Sequence, residues 1–234
     1  MTKPASDAFI SGGPRSTQTE LERQYERRFD AQYAYRNGVW RVLTADFFQQ
    51  FISPSSVVMD LGCGYGQFIN NIRARSKYAL DLNPRSRACV DSEVSLFEQD
   101  CAKRWPLEDK SLDVVFTSNF LEHLANKDLV RQTLQEARRC TKDDGQIICL
   151  GPNIRYVPGA YWDFWDHHVA LSDRTVSEAL ELSGYKVRMR VPRFVPYTMA
   201  EGPQIPLLLV KLYVHLPFLW PIVGRQFLII ARAV

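Results

Sequence analysis

A chain of 234 residues, 46% hydrophobic and 24% charged, is long enough to bury one substantial core with extensions and too apolar to be disordered as a whole. A formal charge of +3 is too small to argue for a nucleic-acid partner, and none is expected. Five cysteines, an odd number without C-x-x-C spacing, speak against a disulfide framework or a zinc knuckle. Together with a polar amino terminus that lacks an apolar signal core, they give the expectation of a cytoplasmic protein.

In chain order, residues 1–17 are loose in composition and read as a flexible leader. Residues 18–52 read as a helical cover. Tyr25, Phe29, Tyr33, Trp40, Leu43 and Phe47 recur at helical spacing, with a break expected at Arg36–Gly38. Arg28 or Arg36 in that cover can pair with a carboxylate, although a solvated face explains either.

From residue 53 to 234 apolar runs of strand type alternate with helical patterns: "SVVMDLG", "YALDLN", "VSLFEQD", "LDVVFTSN", "QIICLGPN", "YKVRMRV" and "QFLIIARA". Strands separated by helix-sized segments predict an α/β domain, a mostly parallel sheet covered on both faces. One covering helix is marked by "KDLVRQTLQEARRCTKDDG", predicted to end at Gly145. Another runs from about Asp173 to Ser183, capped by Ser172 or Asp173 and stopped by Gly184.

In an open parallel sheet, ligands bind beyond the carboxyl ends of the strands. Gly62, Gly64 and Gly66 lie at such an end, where glycine lets the backbone approach a ligand and the start of a following helix favours negative charge. Asp81 ends the second strand, where a carboxylate accepts from a ribose diol. Asp100 ends the third, within reach of an adenine amino group if the ribose sits on Asp81. A dinucleotide remains the rival ligand, and an NAD-dependent oxidoreductase the rival function. The absence of the later phosphate-loop glycine pattern and the additional Asp100 speak against it.

Taken as an ordered set, "VVMDLGCGYG", "YALDLNP", "FEQDCAKRWPLEDKSLDVVFTSNFLEHL" and "EARRCTKDDGQIICLGPN" resemble the class I S-adenosylmethionine-dependent methyltransferases, in particular their broad small-molecule group, over about residues 55–190. The resemblance implies a Rossmann-like, doubly wound seven-stranded sheet with an antiparallel last strand, "QFLIIARAV", and S-adenosyl-L-methionine as cofactor. It further implies that the Gly62, Gly64 and Gly66 loop faces the methionine part, with Asp60 at the acidic position that opens the loop. Asp81, with Leu82 beside it, would take the ribose, Asp100 and the Cys101 backbone the adenine, and Ser118 or Asn119 the methionine side. Asp60 can equally brace the turn.

The sulfonium methyl is already activated, so a protein of this kind mainly positions a nucleophile, and a hydroxyl acceptor gains from a general base. His167 is the first choice for that base and His123, in "NFLEHL", the second; a cap or pocket wall is the structural alternative for His123, and Glu122 reads as a solvated helix residue. The aromatic stretch "GPNIRYVPGAYWDFWDHHVALSD" is the candidate acceptor wall, through Tyr156, Tyr161, Trp162, Trp165 and His168. Trp162 and Trp165 can instead anchor the loop to the core. No spacing enforces a metal site among Glu122, His123, Asp163, His167 and His168, and none is expected.

Between the last two strands lies an apolar insert, at about residues 196–224, broken by Pro206, Pro217 and Pro221 and too interrupted to span a membrane. It can close the pocket, form a homodimer face or rest in a membrane interface through residues 203–224, which would place the protein at a membrane surface. The reading is methyl transfer to a small-molecule acceptor, a hydroxyl on a sugar or lipid-linked glycan before an amine. A cofactor-fold binding protein without turnover is the alternative of another class.

Overall fold

The structure, a computed structural model, describes residues 33–197 and 204–234. The leader, and Tyr25, Phe29 and Arg28 of the cover, lie outside the described residues. Seven strands form one sheet in the order β3-β2-β1-β4-β5-β7-β6. They are β1 (Val57–Leu61), β2 (Ser76–Leu80), β3 (Val94–Phe97), β4 (Leu112–Ser118), β5 (Thr141–Pro152), β6 (Tyr185–Val191) and β7 (Gln226–Ala233). Strands β1 to β5 pair parallel, while β7 inserts antiparallel between β5 and β6. This is the predicted Rossmann-like architecture, and each apolar run of the sequence supplies one strand.

The strands alternate their side chains between two cores because successive residues of a strand point to opposite faces. Met59, Val115, Ile147 and Ile229 meet helices α3 (Lys127–Cys140) and α4 (Asp173–Leu182) on one face. Val58, Val114, Ile148 and Leu228 meet α1 (Tyr33–Asp46) and α5 (Leu207–Val214) on the other. Two further helical turns, α2 (Ser86–Cys89) and α6 (Trp220–Val223), are a single turn each.

Caps act where the sequence marks them. The Asn126 side chain accepts from Leu129 N–H at the start of α3, and Ser172 and Thr175 form a capping box at the start of α4. Three boundaries differ from prediction. Helix α1 runs unbroken through Arg36–Gly38, because Gly38 leaves room for Leu207 of α5: a Cβ there would lie 2.9 Å from Leu207 Cδ1. Helix α3 ends at Cys140 rather than Gly145; Thr141 turns straight into β5, its buried hydroxyl donating to the Ala137 carbonyl and lying 2.9 Å from the Tyr185 hydroxyl. The segment after β1 is a run of turns rather than a helix, held by Asn70 N–H to Gly66 O and Ile72 N–H to Phe68 O. The helix-dipole element expected at the glycine loop is therefore missing.

Candidate cofactor and acceptor site

At the carboxyl ends of β1 and β4 lies a cavity lined by Asp60, Gly62, Gly64, Ser118, Asn119, His123 and His167 from the predicted residues. Its floor is aromatic. Trp40, Phe68 and Phe116 pack there, with Phe68 stacked on Phe116 at 3.6 Å and Trp40 edge-on to Phe116 at 6.0 Å. Such pairs contribute roughly 0.5–1.5 kcal/mol each beyond their burial.

The glycine loop gives this cavity its backbone wall. Gly62 has φ +72 and Gly64 φ +51, a region that favours glycine. The two differ in what surrounds them. A Cβ on Gly62 would lie 2.2 Å from Phe120, whereas a Cβ on Gly64 would meet nothing within 4 Å and would project into open space. Gly62 thus serves packing, and Gly64 leaves a cradle that a side chain would fill. Asn119, which also lines the cavity, holds φ +49 at the end of β4, with its N–H on the Leu150 carbonyl. A left-handed non-glycine residue at a strand end is a mark of a site under local constraint.

Asp81 accepts from Gly64 N–H at 2.6 Å and from Asn83 N–H at 2.8 Å, so it fixes the loop rather than facing the enclosed cavity. An ionised carboxylate has about four acceptor positions, so these N–H groups leave it room to accept from a ribose hydroxyl. Burial raises the Asp81 carboxyl, against those N–H groups that hold it down. Asp60, buried at the end of β1, is pushed well above the carboxylate range by burial and by the Asp81 charge, with the Ile69 N–H opposing.

The remaining predicted cofactor residues lie outside the cavity lining. Gly66 closes the turn with its N–H on Cys63 O; Leu82 is 61% exposed; Asp100 caps its own turn through Ala102 N–H; the buried Cys101 thiol, 3.3 Å from Thr133 Oγ1, is raised by burial to about 11.

The acceptor wall departs from the predicted one. Tyr161 is fully buried, its phenol donating to Val169 O and accepting from Leu171 N–H, so it pins the loop and cannot face a substrate. Trp162 and Trp165, 52% and 85% exposed, are neither core anchors nor cavity walls. His168 is exposed and ties to the Glu122 carbonyl through its N–H, and Tyr156 sits under Arg193 at 5.1 Å, away from the cavity. These residues were predicted as a group because aromatics cluster in the sequence; the loop uses Tyr161 inward and turns the tryptophans out.

What the loop does bring to the cavity is Phe164, Asp166 and His167, beside Glu122 and His123. Sequence reasoning placed Glu122 in solvent, yet it is 2% exposed and its carboxyl is raised by burial, with His123 opposing. His123 sits in a 3₁₀ turn, Leu121–His123, ahead of α3 rather than on it. Its Nδ1 lies 3.0 Å from the Asp166 carbonyl and 3.3 Å from the Asp166 carboxylate. Burial lowers the imidazole pKa, but the Asp166 hydrogen bond and the Glu122 and Asp166 charges outweigh it and leave His123 raised. The His167 ring lies 4.8 Å from that of His123.

Glu122, His123 and His167 each offer one ligand atom, all within 4.8 Å of one another, so this trio could hold a metal ion. Asp163 and His168, also considered from sequence, are exposed and do not join it.

Arg36, which the sequence offers as a carboxylate partner, also lines the cavity, as do Gln67, Tyr197 and Gln226, for which the sequence gives no strong signal. Gln67 and Gln226 are 6% and 2% exposed, and Gln67 Nε2 and Gln226 Oε1 make no hydrogen bond among the described residues. An orphaned buried donor and acceptor on one cavity are a costly pair, unless a ligand satisfies them. With the Gly64 cradle, they fit a zwitterionic amino-acid group such as the methionine end of S-adenosylmethionine.

Comparison with known proteins agrees with this geometry. Residues 59–149 match the family described as methyltransferase domain. A curated Encephalitozoon cuniculi protein described as a methyltransferase is 28% identical over 107 residues, 45% of this chain; the match spans about half the length of that relative, 50%. Among solved structures, a Haloferax volcanii methyltransferase in complex with the activator Trm112 aligns with TM-score 0.60 at 17% identity, over 93% of this chain and 94% of that one. A Thermotoga maritima S-adenosylmethionine-dependent methyltransferase, described as a possible histamine N-methyltransferase, aligns with TM-score 0.61 at 15% identity, over 92% and 96%. The fold is that of the class I S-adenosylmethionine-dependent methyltransferases. Over residues 59–149 the chain is similar to the methyltransferase domain family.

Proposed function

We propose that the protein transfers a methyl group from S-adenosylmethionine to a hydroxyl of a small-molecule acceptor, a sugar or lipid-linked glycan, in the cytoplasm. The observation that carries the hydroxyl reading is the His123–Asp166 pair facing the glycine loop across one cavity.

S-adenosylmethionine, when bound, supplies an activated sulfonium methyl. Gly64, Asp60, Gln67, Ser118 and Asn119 would hold its amino-acid end, and Asp81 its ribose. On the opposite wall, Asp166 engages Nδ1 of His123 and leaves Nε2 to accept the acceptor's hydroxyl proton. The imidazolium so formed is stabilised by the Asp166 carboxylate and by Glu122. His167, the first choice from sequence, packs its ring between His123, Tyr161 and Phe164, and is proposed to shape the pocket and contact the acceptor. The aromatic floor excludes water from the transfer path.

A neutral amine acceptor mainly needs positioning rather than such a base. Incubating the protein with methyl-labelled S-adenosylmethionine and fractionated metabolite and lipid extracts tests the reading. Label in a glycan or glycolipid fraction as an acid- and base-stable ether supports it; label confined to amines would overturn it.

A further inference from the structure

The segment from Ile205 to Val223 packs one side against α1 and leaves the other bare. Val214 is buried, Val210 and Tyr213 pack into the core, Tyr35 Oη accepts from Ile205 N–H and Lys211 pairs with Asp46 at 3.0 Å. On the outer side Leu208, Leu209 and Leu212 of α5 are 68%, 51% and 50% exposed, followed by Phe218 at 67% and Ile222 at 66%. A solvent-facing helix side normally carries polar residues, and here the one charged residue of α5, Lys211, reaches back to Asp46 of α1. Single exposed leucines need no account; five large apolar side chains at least half exposed within fifteen residues do.

Charge says what covers it. Residues 185–234 hold seven Lys and Arg against one acid, Glu201, a net charge of +6, while the rest of the chain carries −3. At the apolar face itself, Lys211 lies on α5, Arg225 is exposed just after α6, and Arg193 donates to the Ile222 and Gly224 carbonyls. An isologous dimer through this face would bring its basic residues toward their own copies. Among the described residues no helix is long and apolar enough to cross a membrane.

We infer that the α5–α6 face docks on an anionic lipid bilayer, its leucines and Phe218 entering the interface while Lys211, Arg193 and Arg225 meet lipid phosphates. Gln226 of the cavity wall follows this face directly in the chain, so docking would bring the cavity end of the sheet to the bilayer. The inference stands on the surface alone and does not rest on the acceptor reading.

Co-sedimentation of the full chain with vesicles of phosphatidylcholine, with and without phosphatidylglycerol, tests it. Binding is expected with the anionic vesicles and at least tenfold weaker with the neutral ones. Leu208→Glu and Phe218→Glu should each reduce it at least fivefold, with the melting temperature and cofactor affinity unchanged. Because Lys211 also braces α1, Arg225→Gln serves as the gentler charge variant and should weaken binding about fivefold. No binding to either vesicle, binding that ignores the Leu208 and Phe218 variants, or a concentration-dependent dimer that those variants abolish without any lipid binding would overturn the assignment.

Discussion

His123 and Asp166 meet in one wall of the cavity: one imidazole nitrogen lies 3.0 Å from the backbone carbonyl and 3.3 Å from the carboxylate of the same residue. The turn after β4 supplies the histidine and the loop after β5 supplies its partner. The two are held in register by the Glu122 carbonyl, which accepts from His168 and Val169 N–H. This arrangement orients Nε2, and Asp166→Asn should lower kcat by about 10²-fold, the lower end of general-base contributions. Cofactor affinity should stay within a factor of two; equal loss of both would make Asp166 structural.

The same pair sets a pH dependence. A base works only when deprotonated, and His123 is raised above its ordinary value, so activity should rise with pH through a midpoint above about 6.5. Removing the carboxylate in Asp166→Asn should move that midpoint down. A midpoint that ignores the substitution would take the proton-accepting role away from His123.

Gly62 and Gly64 should separate stability from binding. Gly62→Ala combines positive φ with overlap on Phe120 and should cost about 2–4 kcal/mol of stability. Gly64→Ala meets no neighbour and should cost about 1–2 kcal/mol, yet weaken S-adenosylmethionine at least tenfold by filling the cradle. Thermal melts and calorimetry on both variants read the two effects separately.

Asp60 carries a stability cost in the service of its site. A carboxyl whose folded pKa lies above its unfolded one favours the fold while protonated; that advantage is lost as pH rises from about 4 toward the raised folded value. Asp60→Asn keeps an acceptor for the Ile69 N–H and removes the charge. It should raise the melting temperature at neutral pH, with the gain vanishing toward pH 4, while cofactor affinity falls.

Chelation should leave turnover unchanged. In the base reading His123 is engaged by Asp166 rather than by an ion, although Glu122, His123 and His167 alone would suffice as a three-ligand set. Loss of activity with EDTA, restored by one divalent ion, would assign the trio to a metal.

The fold was legible because each apolar run is bounded by polar or glycine residues, and β1 and β7 read as near-continuous hydrophobic stretches. Glycines misled where they serve close approach rather than a break: Gly38 lets Leu207 in. Glu122 was placed in solvent because an acid in a helical pattern is usually exposed; only the tertiary loop buries it. Tyr161, Trp162 and Trp165 look equivalent in sequence, and which of them turns inward depends on the Val169 and Leu171 backbone that Tyr161 reaches. Gln226 had one faint signal, a polar residue heading a strand buried but for Arg232. His123 was legible as a residue but not as half of a pair, because Asp166 lies 43 positions away.

The most direct test of the central claim is calorimetric titration of the protein with S-adenosylmethionine, S-adenosylhomocysteine and NAD. Saturable one-site binding of the first two, without binding of NAD, is the expected result. Binding of NAD alone would contradict it.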